Sequence, residues 1–185
     1  MPILAHEPSL YPADLFQRPA PEHRDRRWWA LHTKPRQEKC LARYLHQAGT
    51  PFYLPLVPKR RVQNGRKLES HIPLFTSYVF LLGTEEQRLD CLSTNRVTQV
   101  IEVIEQGQLL TDLTQIQRLI EANAPLTLEQ RIEAGQRVRV KSGALMGLEG
   151  MVLARRKESR LLVAVQFLQQ GVSVEVDDFA LEPLD

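Results

Sequence analysis

The sequence predicts an α+β chain in two parts, an α/β sandwich followed by a small five-stranded β-barrel. Strand and helix patterns alternate from Trp28 to Asn123, which suits a small, mostly antiparallel sheet backed by helices. Beyond residue 134 only short β-rich runs remain, which suits a small barrel. Between them the polar stretch 124–133 begins next to Pro125 and reads as a linker. The expected organisation is therefore a mobile tail over 1–26, a first domain over 27–123, the linker, and a barrel over 134–185.

The tail is assigned because residues 1–26 contain five prolines and show no sustained periodicity. Trp28 to His32 reads as a strand, and Pro35 pushes Lys34 out of helical geometry and opens a helix. Leu41, Tyr44, Leu45 and Ala48 fall on one helical stripe, stopped by Gly49 with Pro51 behind it. Phe52 to Val57 is a strand interrupted by Pro55. Lys59 to Lys67 carries five basic and no acidic residues around Asn64-Gly65, the signature of a basic hairpin projecting into solvent.

Ile72 to Leu82 reads as one long central strand. Thr84 and Gln87 form a capping box for a short helix expected to bury Leu89 and Leu92. Val97 to Ile104 is a further strand, Gly107 turns the chain, and Thr111 or Asp112 caps a helix with Leu113, Ile116 and Ile120 on one face. In the last part Arg137 to Val140, Met151 to Ala154, Leu161 to Val165 and Val172 to Val176 are the strands, with Phe179 and Leu181 closing one end. Their valines favour a stable β structure.

Lys and Arg total 24 against 22 Asp and Glu, a net charge of +2, so nucleic-acid affinity has to come from clusters. Cys40 and Cys91 have no paired spacing for zinc or redox chemistry and read as core residues. The sequence lacks the ~18-residue apolar run of a membrane span and the order of a secretory signal, so a cytoplasmic protein with no membrane association is expected. The glycines at 143, 147 and 150 lack the Lys-Ser or Lys-Thr of a phosphate loop, and His32, His46 and His71 stand in no ligand or triad spacing. No enzymatic activity, metal or cofactor is expected.

Gly135 to Val152 joins an alternating basic and apolar strand to a glycine-punctuated loop bearing Leu145, Met146 and Leu148, and it resembles the KOW motif. Trp28 to Lys39 resembles the opening strand and helix of the NusG family of transcription elongation factors. Leu74-Phe75-Thr76-Ser77-Tyr78-Val79-Phe80 is similar to that family's central Phe-Pro-Gly-Tyr-Val strand, and Arg96 to Ile101 to its later Gly-Val strand. The order of these stretches identifies the chain as a member of that family, close to its specialised, RfaH-like branch, with an NGN domain followed by a KOW domain.

The resemblance implies an elongation and antitermination factor, a monomer that suppresses pausing by binding the clamp helices of RNA polymerase. Trp29, Phe75 and Tyr78 match the family's aromatic depression, and the alternative place for such rings is the core. Lys34, Arg36, Gln37 and Arg43 match a face used on non-template DNA, and the hairpin at Lys59, Arg60, Arg61, Arg66 and Lys67 is placed to reach upstream DNA. Both also fit ordinary solvated surfaces. Leu145, Leu148, Phe167 and Leu168 are expected to engage a ribosomal protein or Rho. Three departures stand out: Thr76-Ser77 replaces Pro-Gly, Phe167-Leu168 replaces Ile-Phe, and Gln87-Arg88-Leu89-Asp90 replaces a threonine-rich motif. The competing expectation is a ribosome-associated protein using its KOW barrel on RNA.

Overall fold

A computed structural model describes residues 7–17, 25–63, 65–129, 135–155, 158–176 and 181–184. The chain divides into two compact units, Met1–Gln106 and Gly107–Asp185. The architecture is α+β, as the alternating patterns predict.

In the first unit, β1 (Leu10–Tyr11), β2 (Arg27–Thr33), β3 (Phe52–Tyr53), β6 (Tyr78–Gly83) and β7 (Val97–Glu102) form an antiparallel sheet in the order β1-β3-β6-β2-β7. Strand alternation divides its side chains between two faces. Trp29, Leu31, Phe52, Val79 and Leu81 pack with Leu41, Ala42 and Leu45 of α1 (Glu38–Gln47) and Cys91 of α2 (Glu85–Ser93). Trp28, Ala30, Tyr53 and Phe80 occupy the opposite face. There Phe16 stacks on Trp28 at 6.2 Å and stands edge-on to Tyr53 at 4.9 Å.

Several expectations are met locally. Gly49, at φ +65°, ends α1 with Thr50 N–H on the Leu45 carbonyl and its own N–H on that of His46, a Schellman ending. Thr84 Oγ1 accepts from the Gln87 amide at 3.3 Å and Gln87 Oε1 from the Thr84 amide at 3.0 Å, closing the capping box. β4 (Leu56–Gln63) and β5 (Arg66–Pro73) form the hairpin as a separate two-stranded sheet.

Others are corrected. Residues 7–17 were expected in a mobile tail, yet β1 adds to the sheet edge at β3, Leu15 is buried, and Phe16 covers two rings. The rest of the described tail is short, and residues 18–24 lie outside the described residues. The long strand from Ile72 is two strands, because Pro73 ends β5 and a turn intervenes before β6. In α2 the buried residue is Cys91, whereas Leu89 is 51% and Leu92 36% exposed.

In the second unit α3 runs over Gln106–Glu121, starting a turn earlier than expected, with Gly107 inside it and Asp112 buried near its middle. The strands are β8 (Thr127–Glu129), β9 (Arg137–Val140), β10 (Glu149–Arg155), β11 (Glu158–Val165), β12 (Gln170–Glu175) and β13 (Leu181–Pro183). They form one sheet of six, in the order β13-β9-β10-β11-β12-β8. The sixth strand comes from the stretch read as a linker. β8 pairs with β12, and Arg160 and Ser173 hold it through Thr127 Oγ1 at 2.9 Å and Glu129 Oε1 at 2.7 Å. Leu161, Leu162 and Val163 are all buried, as befits a central strand covered on both faces. Phe179, expected to close one end, and the rest of the expected linker after Glu129 lie outside the described residues.

Candidate functional site

The first candidate surface lies where β2 ends and β6 begins. Phe75 to Tyr78 is a β-turn closed by the Tyr78 amide on the Phe75 carbonyl at 3.3 Å. Ser77 sits at φ +64° while Thr76 is not in the left-handed region, which makes the turn type II. Proline and glycine are the preferred central residues of that turn. Thr76-Ser77 thus keeps the backbone of the Pro-Gly pair that it replaces, with strain at Ser77. The turn is pinned from both sides: the Ser77 amide donates to Glu38 Oε1 and the Thr33 amide to the Ser77 carbonyl, each at 2.8 Å. Glu38 is buried, so α1 begins with a carboxylate spent on this turn.

Tyr78 pairs with His32 across β6 and β2, their rings edge to face at 5.1 Å, and both are half-buried. The ladder between β2 and β7 slips between His32 and Thr33, leaving Thr98 as the extra residue of a bulge. Thr98 donates its hydroxyl proton to the His32 carbonyl at 2.9 Å, and its oxygen lies 2.8 Å from His32 Nδ1. With that proton spent, the oxygen accepts from His32 Nδ1.

Lys34 is half-buried beside this pair, its amide on the Arg96 carbonyl and its Nζ on the neutral Asn95 Oδ1, both at 2.8 Å. Its charge is therefore not cancelled by that partner. Arg36 is exposed at φ +63°, and Gln37 is half-buried at the helix start with no capping bond from its side chain. Arg43 stands a turn further along α1 and holds Glu7 at 2.8 Å and Cys40 Sγ at 3.1 Å.

The structure does not gather the three expected aromatics. Trp29 lies on the helix-covered face, opposite to that of Tyr78, and is 7% exposed beneath the guanidinium groups of Arg27 and Arg88 at 4.7 and 5.3 Å from its ring. Phe75 shares the face of Tyr78 but has no exposed surface, its ring edge-on to Phe80 at 6.4 Å. The expectation that Phe75 presents its ring is thus corrected to a core position behind the turn. His32 joins this surface although no sequence motif pointed to it. The signal for His32 was parity: two strands paired at that register put His32, not Trp29, beside Tyr78.

On the hairpin, Gly65 turns at φ +72° and the strands pair from Leu56↔Pro73 to Gln63↔Arg66. Lys59 and Arg60 are exposed, and Arg60 bonds Glu69 at 3.1 Å. Arg61, Arg66 and Lys67 fall within the same two strands.

The second candidate surface is the glycine-rich loop between β9 and β10. Gly143 and Gly147 have φ of +86° and +83°, and the loop closes on Val140 through the Gly147 amide and the Leu148 carbonyl. Leu148 is fully buried, Leu145 half-buried and Met146 61% exposed. Phe167 and Leu168 are half-buried on a 3-10 turn over Gln166–Leu168. Both loops are held by α3. Asp112 Oδ2 accepts from the Gln166 amide at 2.9 Å, Gln115 Oε1 from the Glu149 amide at 2.7 Å, and Arg118 donates to the Met146 carbonyl. Burial pushes the Asp112 carboxyl above its ordinary range, against the opposing pull of its bonds from Gln166 and Gln108.

A family model for the transcription termination factor NusG matches residues 26–130, more than half of the 185-residue chain. The chain belongs to the NusG family. It is accordingly a transcription factor of the class that acts during elongation, and the NusG match runs from β2 through α3 to β8. A NusG of Thermotoga maritima, solved for its domain interaction, is similar at a TM-score of 0.43 and 18% identity over 86% of this chain and 98% of that one. The MjSpt4:Spt5 complex is similar at a TM-score of 0.26 and 15% identity over 85% of this chain and 97% of that one. No curated relative matches the sequence. Among the described residues no helix is long and apolar enough to cross a membrane.

Proposed function

We propose that this NusG-family protein is an elongation and antitermination factor that docks on the clamp helices of RNA polymerase through the sheet end around Tyr78 and His32. The observation that carries the reading is the accessible pair of rings, fixed by a doubly pinned turn, beside Lys34 and Arg36. Aromatic groups with a polar edge are the usual anchors of an interface, and a rigid frame lowers the entropy lost on binding. Phe75 serves as the buried support of this surface, whereas Trp29 belongs to the helix-covered core. Lys34, Arg36, Gln37 and the hairpin residues Lys59, Arg60, Arg61, Arg66 and Lys67 face non-template or upstream DNA, attracting its phosphates. Arg43, paired with Glu7, contributes less. In the second unit, the loop end bearing Leu145, Phe167 and Leu168 engages a ribosomal protein or Rho.

The test is a purified elongation assay with Tyr78→Ala and His32→Ala. Each substitution is expected to weaken polymerase binding by about tenfold or more, a hot-spot effect. Pausing should return to its unassisted level while the unfolding midpoint stays near wild type. Unchanged pausing and binding would overturn the reading, and loss of the folded state would return Tyr78 to the core. Lys59→Ala with Arg60→Ala should flatten the salt dependence of binding to complexes that carry exposed non-template DNA.

A further inference from the structure

Residues 7–17 lie ahead of the NusG match, which begins at residue 26. They form a strap around the edge of the first unit's sheet at β3. Leu10 and Tyr11 pair with Tyr53 and Phe52, and the Ser9 carbonyl accepts from the Leu54 amide at 2.6 Å. On the helix-covered face Tyr11 packs against the core and stands edge-on to His46 at 5.0 Å. Leu15 is buried, and on the opposite face Phe16 covers Trp28 and Tyr53. Ahead of these anchors Glu7 reaches α1 and holds Arg43 at 2.8 Å. Beside that ion pair lies a cavity of about 390 Å³, between Pro8, Ser9 and Leu10 of the strap and Arg43, His46 and Gln47 of α1.

We propose that Glu7 gates Arg43: its carboxylate stands in for a nucleic-acid phosphate until a strand of single-stranded DNA displaces it. This rests on the reading of Lys34, Arg36, Gln37 and Arg43 as a face toward non-template DNA. A carboxylate and a phosphodiester each offer one negative charge and a pair of oxygens to the guanidinium fork, so one substitutes for the other. The ion pair is open to exchange. The Arg43 side chain is 49% exposed and that of Glu7 26%, and ion pairs of this kind are weak. The rest of the strap stays in place, since β1 and the Ser9 carbonyl hold it to the strand beside it. The cavity next to Arg43 leaves room for a phosphate and its sugar. Because the carboxylate is tethered, it competes at every encounter, and a strand already held at Lys34 and Arg36 is the one that gains Arg43 as a further contact.

The experiment measures binding of the full chain to a fluorescently labelled single-stranded DNA. The proteins are wild type, Glu7→Gln, Arg43→Ala, those two combined, and Lys34→Ala combined with Arg36→Ala. Glu7→Gln keeps the length of the side chain and removes the competing charge. Its affinity should rise by about threefold, in keeping with the strength of an exposed ion pair. In the Arg43→Ala background the same substitution should change nothing, because the gate acts through that guanidinium alone. Equal affinity of wild type and Glu7→Gln overturns the gate. A gain that survives in the Arg43→Ala background also overturns it, since a general change in net charge then accounts for the effect. In both cases the DNA face stands if Lys34→Ala with Arg36→Ala weakens binding. If that pair of substitutions leaves binding unchanged, or if no variant binds, the DNA face itself falls and the gate with it.

Discussion

The two candidate surfaces are built in opposite ways. At the end of the first unit's sheet, a strained turn and a bulge push rings outward: Ser77 and Arg36 hold left-handed φ angles, and Thr98 steps out of register to fix His32. In the glycine-rich loop of the second unit, Gly143 and Gly147 take the left-handed positions and the large apolar group goes inward, with Leu148 fully buried; Gln169, after the 3-10 turn, is the ordinary residue there with a left-handed φ. Backbone strain borne by ordinary residues persists only where surrounding bonds impose it, and such places tend to be binding sites. Glycine carries the same geometry with little strain, which marks a loop shaped chiefly for packing. The first surface is therefore the one held rigid for the proposed docking, whereas the glycine-rich loop is first a closure of its own small core.

The largest expected effect tests that closure. Leu148→Ala should cost about 2–5 kcal/mol, the range for truncating a buried leucine, seen as a lower urea midpoint for the second unit. Met146→Ala, two residues away and 61% exposed, should stay within about 0.5 kcal/mol of wild type. Equal effects would mean that the loop does not point its leucine inward. Next comes Gly150→Ala. A Cβ there would stand 2.3 Å from the Leu162 carbonyl oxygen, a backbone atom that cannot swing aside, so β10 and β11 would have to separate. Overpacking of this kind costs about 1–3 kcal/mol, and circular dichroism during urea unfolding would register it.

What the sequence made legible follows from how local each determinant is. The capping box at Thr84 and Gln87, the glycine stop at Gly49 and the Asn-Gly hairpin are each set by a few neighbouring residues, and all three are present. Period-two alternation marked β9, and short β-rich runs marked β10 to β12. Features created by distant pairing were not legible. β1 has two residues, and its existence depends on β3; β8 depends on β12 and on Arg160. The site suffered from the same limit. Trp29 and Tyr78 both looked like interface aromatics, but which face each occupies is settled by the register of β2 against β6, with Tyr78 opposite His32. In α2, Leu89 and Leu92 out-rank Cys91 in hydrophobicity, yet the short helix turns Cys91 inward, and burial lifts its thiol to about 12.

Effects below that of Leu148→Ala probe the first surface. Glu38→Ala removes the buried acceptor of the Ser77 amide and should cost about 1.5–3 kcal/mol, the range for a hydrogen bond to a charged group. The glutamine variant keeps an oxygen in place and should recover much of that. Polymerase affinity should fall with Glu38→Ala by more than the stability loss accounts for, because the turn that carries Tyr78 is loosened. If stability falls but affinity does not, the frame around Tyr78 is not what prepares it for binding.

The mildest change is also the most discriminating. Ser77→Gly should stabilise the first unit by about 0.5 kcal/mol, because a left-handed conformation costs an ordinary residue about 1–2 kcal/mol and part of the relief is offset by the greater freedom of glycine in the unfolded chain. The turn keeps its bonds to Glu38 and Thr33, since both use main-chain atoms of Ser77. Thermal unfolding measures the gain. The same variant separates two roles for the strain. If strain merely accompanies the substitution of Pro-Gly by Thr-Ser, polymerase affinity is unchanged or rises with stability. If the stiffness of a non-glycine residue at this position holds Tyr78 in its binding pose, affinity falls while stability rises. The contrast between the two surfaces predicts the second outcome, because glycine here would give the sheet end the same kind of turn that the glycine-rich loop of the second unit uses in closing over its core.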